Sequence, residues 1–583
     1  MFGDRLAVHA RWLLLGLAVF SLFFLLGGRS LNEPDEGRYA EIAREMLETG
    51  DWLVPHFWYA PHLDKPPLAY WAVAASMSVF GQNEWAVRLP LALAGLSGLW
   101  AAYLLAVALG GPRAGRWTVL ILLSSLLYFV MARMLTPDIF LTQFVAWAIY
   151  FFWRGWQSLG GLEQADESVR ARAGRRFFLW HLAAWAAMAG GFLTKGPIAV
   201  IIPLLALAGL GIYGRKDSVR WKLLVLGGAA GLPVFALIIA PWFALLAQAV
   251  PAALDYMVFG QVIGHTLGTT IKNRQGSPFY FVAILAVGFL PWSVLVGWLW
   301  RRAHWRGLAP ERRAGWVLAS VWVLGTVTIF TLIKSKLPAY ILPLFPALAV
   351  LTAVRWFAEG NGAEPENAAP PAWLWRVVLV GPLLVTIAVP LALRGLFQVT
   401  DSPWFWPQLT AAVLLGAVLG WRGRTWAPAR CAGWAAALSL LNLLLLATQA
   451  PAVETALKSN QTLKPLGLAL RREWRAGDRV VCWGRLPQGL PFYAYPAISA
   501  INRPYLGGMA LNHVPFESTG NPERFHDWML PDAAALDRLL TGPGRIWVVA
   551  TAGTFAQVQA RLTQTTGLRE VTRAGRWELF VNR

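Results

Sequence analysis

Long apolar runs recur from about residue 12 to about residue 450, and this recurrence limits the chain to one kind of architecture. Inside hydrocarbon a backbone must satisfy its own N–H and C=O groups, so runs of bilayer length read as spanning helices. They fall at residues 12–26, 86–109, 117–132, 139–153, 177–193, 196–213, 222–247, 278–300, 314–333, 338–354, 373–393, 408–421 and 430–450. About thirteen helices follow, several near the lower limit of the ~17–25 residues that a span needs. The first run has no small-residue cleavage site before the next polar stretch, so it reads as a helix and not as a signal peptide. With 57% hydrophobic and 14% charged residues, the chain is a polytopic α-helical membrane protein and not an ordinary soluble domain.

After about residue 450 the pattern changes. Residues 478–484, 544–551 and 576–582 read as strands, and 532–540 and 555–562 as helices. The expected organisation is a bundle over 1–450, with a polar loop at 28–85, followed by a small α/β domain over 451–583. That domain offers no catalytic constellation, since His513 and His526 are isolated. The two cysteines, Cys431 and Cys482, give no disulfide framework.

A net charge of +20 would suit a nucleic-acid binder, but the basic residues gather in short loops between apolar runs, and no nucleic-acid partner is expected. Alternate loops hold clusters such as Arg170, Arg172, Arg175 and Arg176, or Arg301, Arg302, Arg306, Arg312 and Arg313. That bias marks the cytoplasmic face and places the N-terminus on it. An odd number of spans then puts the 28–85 loop and the C-terminal domain on the outer face.

The outer connections carry few cations: Arg38, Lys65, Arg133, Lys195, Lys272, Arg274, Lys334 and Lys336, all at membrane edges. Snorkelling to headgroups accounts for any one of them. Together, on the side that topology disfavours, they suggest an anionic ligand, most simply a phosphate. Lys195 lies in Gly190-Gly191-Phe192-Leu193-Thr194-Lys195-Gly196, which lacks the spacing and strand context of a nucleotide-binding loop.

Most of the outer acids lie in Asn32-Glu33-Pro34-Asp35-Glu36-Gly37-Arg38-Tyr39-Ala40 and its continuation to Asp64-Lys65-Pro66-Pro67. Residues 36–49 set Tyr39, Ile42, Ala43, Met46 and Leu47 on one face and Glu41, Arg44, Glu45 and Glu48 on the other, the pattern of a helix lying on the membrane surface. Residues 67–80, apolar behind a double proline, read as a half-embedded helix. Helix capping and the helix dipole account for Asp35 and Glu36 taken alone. Asp138, in Thr136-Pro137-Asp138, opens another span on the same side, and separated carboxylates among cations at one membrane level point to a site. Asp35, Glu36, His56, His62 and Asp64 share one loop without tight ligand spacing. No required cofactor is expected, and a divalent metal stands as the alternative.

Several strings carry a resemblance: PDEGRYAEIAREMLETGDWLVPH at 34–56, DKPPLAYW at 64–71, MLTPD at 134–138, FLTKGP at 192–197 and KLPAYIL at 336–342. Over about residues 8–355 the chain resembles the ArnT family of bacterial lipid A aminoarabinose transferases, GT-C membrane glycosyltransferases related to the protein O-mannosyltransferases. The resemblance implies a multi-pass enzyme of the bacterial inner membrane whose site faces the periplasm. Such enzymes move 4-amino-4-deoxy-L-arabinose from undecaprenyl phosphate to lipid A phosphates, which weakens binding of cationic peptides such as polymyxin. It makes Asp35 the catalytic aspartate and Asp138 a second functional acid, and assigns Arg38 and Lys65 to the donor phosphate. It sets Tyr340 in a segment that lines the lipid cavity. Glu36, Asp64, Lys195 and Lys336 are further substrate-binding candidates, and the 248–277 loop, with His265, Lys272 and Arg274, is a candidate to cover the cavity or meet the acceptor. In one departure, Asp64 stands where familiar members have Glu, which keeps the charge on a shorter arm.

The chemistry can be weighed apart from the resemblance. Breaking a bond between an anomeric carbon and a polyprenyl phosphate leaves positive charge on the ring and added negative charge on the phosphate. Arg38 and Lys65 would stabilise that leaving group. A phosphate acceptor is already anionic and needs no base, so Asp35 would position a substrate or stabilise the ring; with a hydroxyl acceptor, as in a protein O-mannosyltransferase, it would remove a proton. A lipid flippase or transporter is the remaining alternative, disfavoured by the lack of internal repeats.

Overall fold

The computed structural model describes residues 2–583 except 161–165, 215–217, 265–275, 302–307, 360–370, most of 383–425, 457–461, 500, 508–528, 554 and 556–566. His265, Lys272 and Arg274 lie outside the described residues, as do His513, His526 and most of the run expected at 408–421.

Apolar helices form the body. After α1 (Phe2–Phe23), the 28–85 loop carries α2 (Asp35–Thr49) and α3 (Leu68–Phe80). Then follow α4 (Glu84–Leu123), α5 (Leu126–Met131), α6 (Asp138–Ser158), α7 (Glu167–Lys195), α8 (Ile198–Tyr213) and α9 (Ser218–Ala249). Beyond these come α10 (Tyr280–Gly288), α11 (Pro310–Leu332), α12 (Phe345–Phe357) and α13 (Pro428–Ala456). Among the described residues, 6 helices are by themselves long and apolar enough to cross a bilayer, and shorter apolar helices stand beside them. The runs expected at 86–109 and 117–132 join in α4, interrupted at Gly111, whose φ of 84° is open to glycine without strain. The single span expected at 278–300 is instead broken: α10 and a 3-10 helix at Trp292–Trp298 meet at 120°. Pro291, which has no N–H to continue a helix, stands at the bend.

The helix expected to lie on the membrane surface is buried instead. α2 starts with Asp35 and Glu36 in its first turn, suited to the helix dipole, and ends at Gly50 in the left-handed region. Its polar face is as enclosed as its apolar one: Glu36, Glu41, Arg44 and Glu45 are all buried. This is possible because the face is satisfied internally. Arg44 donates to Glu41 at 2.6 Å and to Glu48 at 2.7 Å, and Glu45 accepts from the N–H groups of Trp58 and Tyr59 at 2.7 and 2.9 Å. Burial and the neighbouring Glu41 push the Glu45 carboxyl well above the ordinary carboxylate range.

After the short strands β1 (His56–Phe57) and β2 (Ala60–Pro61) of the 28–85 loop, the strands expected near the C-terminus are β3 (Arg479–Trp483), β6 (Ile546–Thr551) and β8 (Trp577–Val581). With β4 (Tyr505–Gly507), β5 (Met529–Leu530) and β7 (Arg569–Ala574) they form a six-stranded sheet of order β5-β4-β3-β6-β8-β7. β3 runs parallel to β4 and β6, and β8 antiparallel to β6 and β7. Side chains alternate along each strand, and here both faces are covered. Val480, Cys482, Trp547, Val549 and Leu579 join the core continuous with the bundle, while Val481, Trp483, Val548 and Phe580 form a second core with Leu536 and Leu540 of the helix Ala533–Thr541.

This domain docks on the 28–85 loop. Tyr493, in the short helix Leu490–Ala494, accepts from the Leu31 N–H at 2.8 Å, and Lys464 pairs with Glu84 at 2.5 Å. Gly489 donates its N–H to Glu33 at 2.7 Å, and burial pushes that carboxyl up to about 8. Gly37 of α2 meets Gly489 backbone to backbone: a Cβ at Gly37 would stand 2.8 Å from the Gly489 Cα. Gly489→Ala would place its methyl 2.5 Å from the Glu33 carboxylate and 2.8 Å from the Gly37 Cα. We expect it to cost about 1–3 kcal/mol, seen as a lower Tm in detergent and faster proteolysis between bundle and domain. Gly553→Ala, whose methyl meets open space, should leave both unchanged.

Candidate functional site

A cavity of about 1050 Å³ opens between α2, the 62–66 segment, the start of α6 and the end of α7. Its apolar wall comes from α5, α7, α8 and α11, with Val130, Phe192, Ile201 and Phe330 among the lining residues. The polar lining holds Asp35, Arg38, Asp64, Lys65, Asp138 and Lys195. Three carboxylates and three cations thus face a space walled mainly by hydrocarbon, the arrangement expected of an amphiphile with a charged head.

Asp35 is the first residue of α2, and Arg38 lies one turn on, so the two point the same way. They pair at 2.7 Å, and the Asp35 side chain stays 38% exposed, within reach of a ligand. The Nε of Arg38 and the Oγ1 of Thr136, which also line the cavity, are buried without a hydrogen-bond partner among the described residues. Lys65 donates to the Asp64 carbonyl at 2.9 Å. Burial pushes its ammonium down to about 8, Lys195 and Arg38 add to that, and Asp64 works against it. Asp138 opens α6, where a carboxylate suits the dipole, and pairs with Lys195 at the end of α7. Lys195 also lies 4.7 Å from the centre of the Tyr340 ring, which joins Tyr340 to the same cluster.

Asp64 accepts from the Tyr256 hydroxyl at 2.8 Å and lies 3.5 Å from His62. Burial would raise the Asp64 carboxyl, but His62, Lys65 and Arg38 hold it well below the ordinary carboxylate range. Burial holds the His62 imidazole down at about 4, against the pull of Asp64. His56 is turned to Asp51 at 3.7 Å and does not line the cavity. The five-residue cluster weighed as a metal site is therefore dispersed, and among the described residues no three such groups are placed to hold one ion.

Two residues expected about the substrate face elsewhere. Glu36 is fully buried on the far side of α2 from Asp35 and absent from the cavity lining. It accepts from Arg29 Nη2 at 2.9 Å, from Arg88 Nε and Nη2 at 3.0 Å each, and from the N–H groups of Asn32 and Leu135 at 3.0 and 2.9 Å. Burial alone would raise this carboxyl; Arg29 and Arg88 override it and hold it well below the ordinary range. Lys336 is buried too, donating to the carbonyls of Phe330, Thr331 and Ile333 at 3.2, 3.0 and 2.9 Å, so it caps the C-terminal end of α11. Sequence reasoning missed Arg88 and Tyr256. A lone arginine within an apolar run is itself a signal, because a buried cation demands a partner.

The chain has relatives among known proteins. A family model described as dolichyl-phosphate-mannose-protein mannosyltransferase matches residues 64–242. An undecaprenyl phosphate-alpha-4-amino-4-deoxy-L-arabinose arabinosyl transferase of Edwardsiella ictaluri is 37% identical over 59% of this chain and 59% of its own length. A second transferase of that description, from Sodalis glossinidius, is 32% identical over 74% of this chain and 75% of its own. The crystal structure of ArnT from Cupriavidus metallidurans bound to undecaprenyl phosphate superposes with a TM-score of 0.76 at 26% identity, covering 98% of this chain and 97% of that one.

Removing the Glu36 charge should leave the buried Arg88 and the half-buried Arg29 without a counter-ion. Glu36→Gln is expected to destabilise the protein by about 3–5 kcal/mol, measured as a fall in the detergent unfolding midpoint. Asp35→Asn, at a half-exposed position facing the cavity, should shift it by less than about 1 kcal/mol.

Proposed function

The chain belongs to the undecaprenyl phosphate-aminoarabinose arabinosyl transferase family and is a membrane glycosyltransferase that uses a polyprenyl-phosphate sugar donor; we propose that it moves 4-amino-4-deoxy-L-arabinose onto a phosphate of lipid A at the periplasmic face of the bacterial inner membrane. The observation that carries this reading is the pairing of a hydrocarbon-walled cavity with Arg38 and Lys65, one holding an Nε that has no partner among the described residues and the other a half-buried ammonium. Those are the groups that a lipid-borne phosphate would satisfy.

In this mechanism the donor phosphate sits on Arg38 and Lys65 and the polyprenyl chain lies along the apolar wall. Attack by an acceptor phosphate oxygen forms the new bond at the anomeric carbon as the bond to the donor phosphate breaks, with both electrons leaving on that phosphate. The two cations stabilise the charge that develops there. The acceptor oxygen is already ionised, so no proton need be removed. Asp35 would then act as a fixed negative charge beside the positive ring, held in place by Arg38. Asp138 and Lys195 complete the polar wall, with Tyr340 beside them. The family model for protein mannosyltransferases covers the same donor chemistry, and the acceptor distinguishes the two readings.

Purified protein given the polyprenyl donor and lipid A should yield lipid A of increased mass, and Asp35→Ala should lower kcat by at least about a hundredfold with little change in donor affinity. Transfer to a peptide but not to lipid A would overturn the assignment. Binding of undecaprenyl phosphate, the spent carrier, should also depend on pH. The Lys65 charge is present below about 8 and is lost as pH rises through it. The second ionisation of undecaprenyl phosphate, near 6, is by then complete. We expect its Kd to rise about tenfold between pH 7 and pH 9, and Lys65→Arg to flatten that profile.

A further inference from the structure

A second, smaller cavity lies on the other side of α5 from the donor cavity. It has a volume of about 160 Å³, room on the order of ten waters, and Val130 lines both spaces. Its polar walls are the guanidiniums of Arg29 and Arg133. Its apolar walls include Leu443, Leu446 and Ala447, which share one face of α13.

The charge around this cavity is not balanced. Arg29, Arg88 and Arg133 are gathered here, and Glu36 is the one carboxylate shown paired with Arg29 and Arg88. Arg133 is 9% exposed, and among the described residues no carboxylate pairs with it. Its Nη1 donates to the carbonyls of Ser21 and Leu22 at 3.0 and 2.9 Å, and its Nη2 to that of Phe24, so it caps the end of α1. Those carbonyl dipoles account for its burial. Arg29 is likewise engaged, with Glu36 and the Arg133 carbonyl, yet both arginines line a cavity whose other wall is an apolar helix. A group with a concentrated negative charge on an apolar body fits both walls.

We propose that the cavity between Arg29, Arg133 and α13 seats a phosphate of the acceptor lipid, the one not being glycosylated. This inference rests on the acceptor being lipid A, whose sugar headgroup carries a phosphate at each end. With one phosphate in the donor cavity, the other falls to a neighbouring seat, and Val130 of α5 lines both cavities. Arg29 reaches that seat from the Glu36 network that holds α2, so acceptor and catalytic helix share one anchor.

Ala447→Glu tests this on the full chain in detergent by placing a carboxylate among the arginines from a helix that only borders the cavity. The expected result is a KM for lipid A raised about tenfold, with kcat and the Kd for undecaprenyl phosphate unchanged. Ala447→Gln, of similar shape and no charge, separates charge from bulk: it should raise KM clearly less, and a rise as large as that of Ala447→Glu would overturn the inference. Unmodified protein needs no variant: of the two monophosphorylated forms of lipid A, the one that still accepts sugar should show the same tenfold rise, and Ala447→Glu should add nothing to it. An unchanged KM for that acceptor overturns the inference, as does a tenfold effect of Ala447→Glu that persists with it. A shift only in the dependence on added phosphatidylglycerol would also overturn it, assigning the seat to a bulk phospholipid. No transfer to any form of lipid A would instead refute the acceptor on which the inference rests.

Discussion

The placement of Asp35, Arg38 and Asp138 traces back to one buried carboxylate. Glu36 gathers Arg29 from the chain after α1, Arg88 from α4, the Asn32 N–H from the approach to α2, and the Leu135 N–H from the approach to α6. Such a cluster stabilises little compared with an apolar core of the same volume, because each ion loses its water. It acts through geometry. Three separate pieces of chain can meet a carboxylate with good hydrogen bonds in one arrangement only, and that arrangement sets the start of α2. A helix turns about 100° per residue, so with Glu36 facing the scaffold its neighbour Asp35 faces the cavity, and Arg38 follows one turn later.

This division of labour was only partly legible in the sequence. The spans, the strands β3, β6 and β8, and the gathering of Asp35, Arg38, Lys65, Asp138 and Lys195 at one level follow from periodicity and charge placement, which are local properties. The roles of Glu36 and Lys336 do not. Both are charged residues at a membrane edge and look no different from Asp35 and Lys65 until tertiary structure decides which way they turn. The burial of α2 is of the same kind. Its amphipathic pattern says that one face is apolar, but not that a protein surface would cover the polar face. That depended on Arg44 and on two N–H groups in the 51–66 segment.

The C-terminal domain has a clearer place than its own sequence suggested. It carries no catalytic cluster, yet its Gly489 touches α2 between Asp35 and Arg38, at Gly37. Both faces of its sheet are covered, one by its own second core and one by the core continuous with the bundle, so it is built into the enzyme and not appended to it.

The cationic pair Arg38 and Lys65 also bears on how a reaction cycle ends. In the loaded carrier the phosphate is a diester with a single negative charge; once the sugar has gone it is a monoester carrying nearly two. Groups placed to stabilise a leaving phosphate therefore hold the spent carrier more tightly than the loaded one. On the proposed reaction, product inhibition is built into the chemistry of the site. Turnover is then paced by the departure of the empty lipid into the bilayer, and it depends on how quickly the membrane's pool of free carrier is drained.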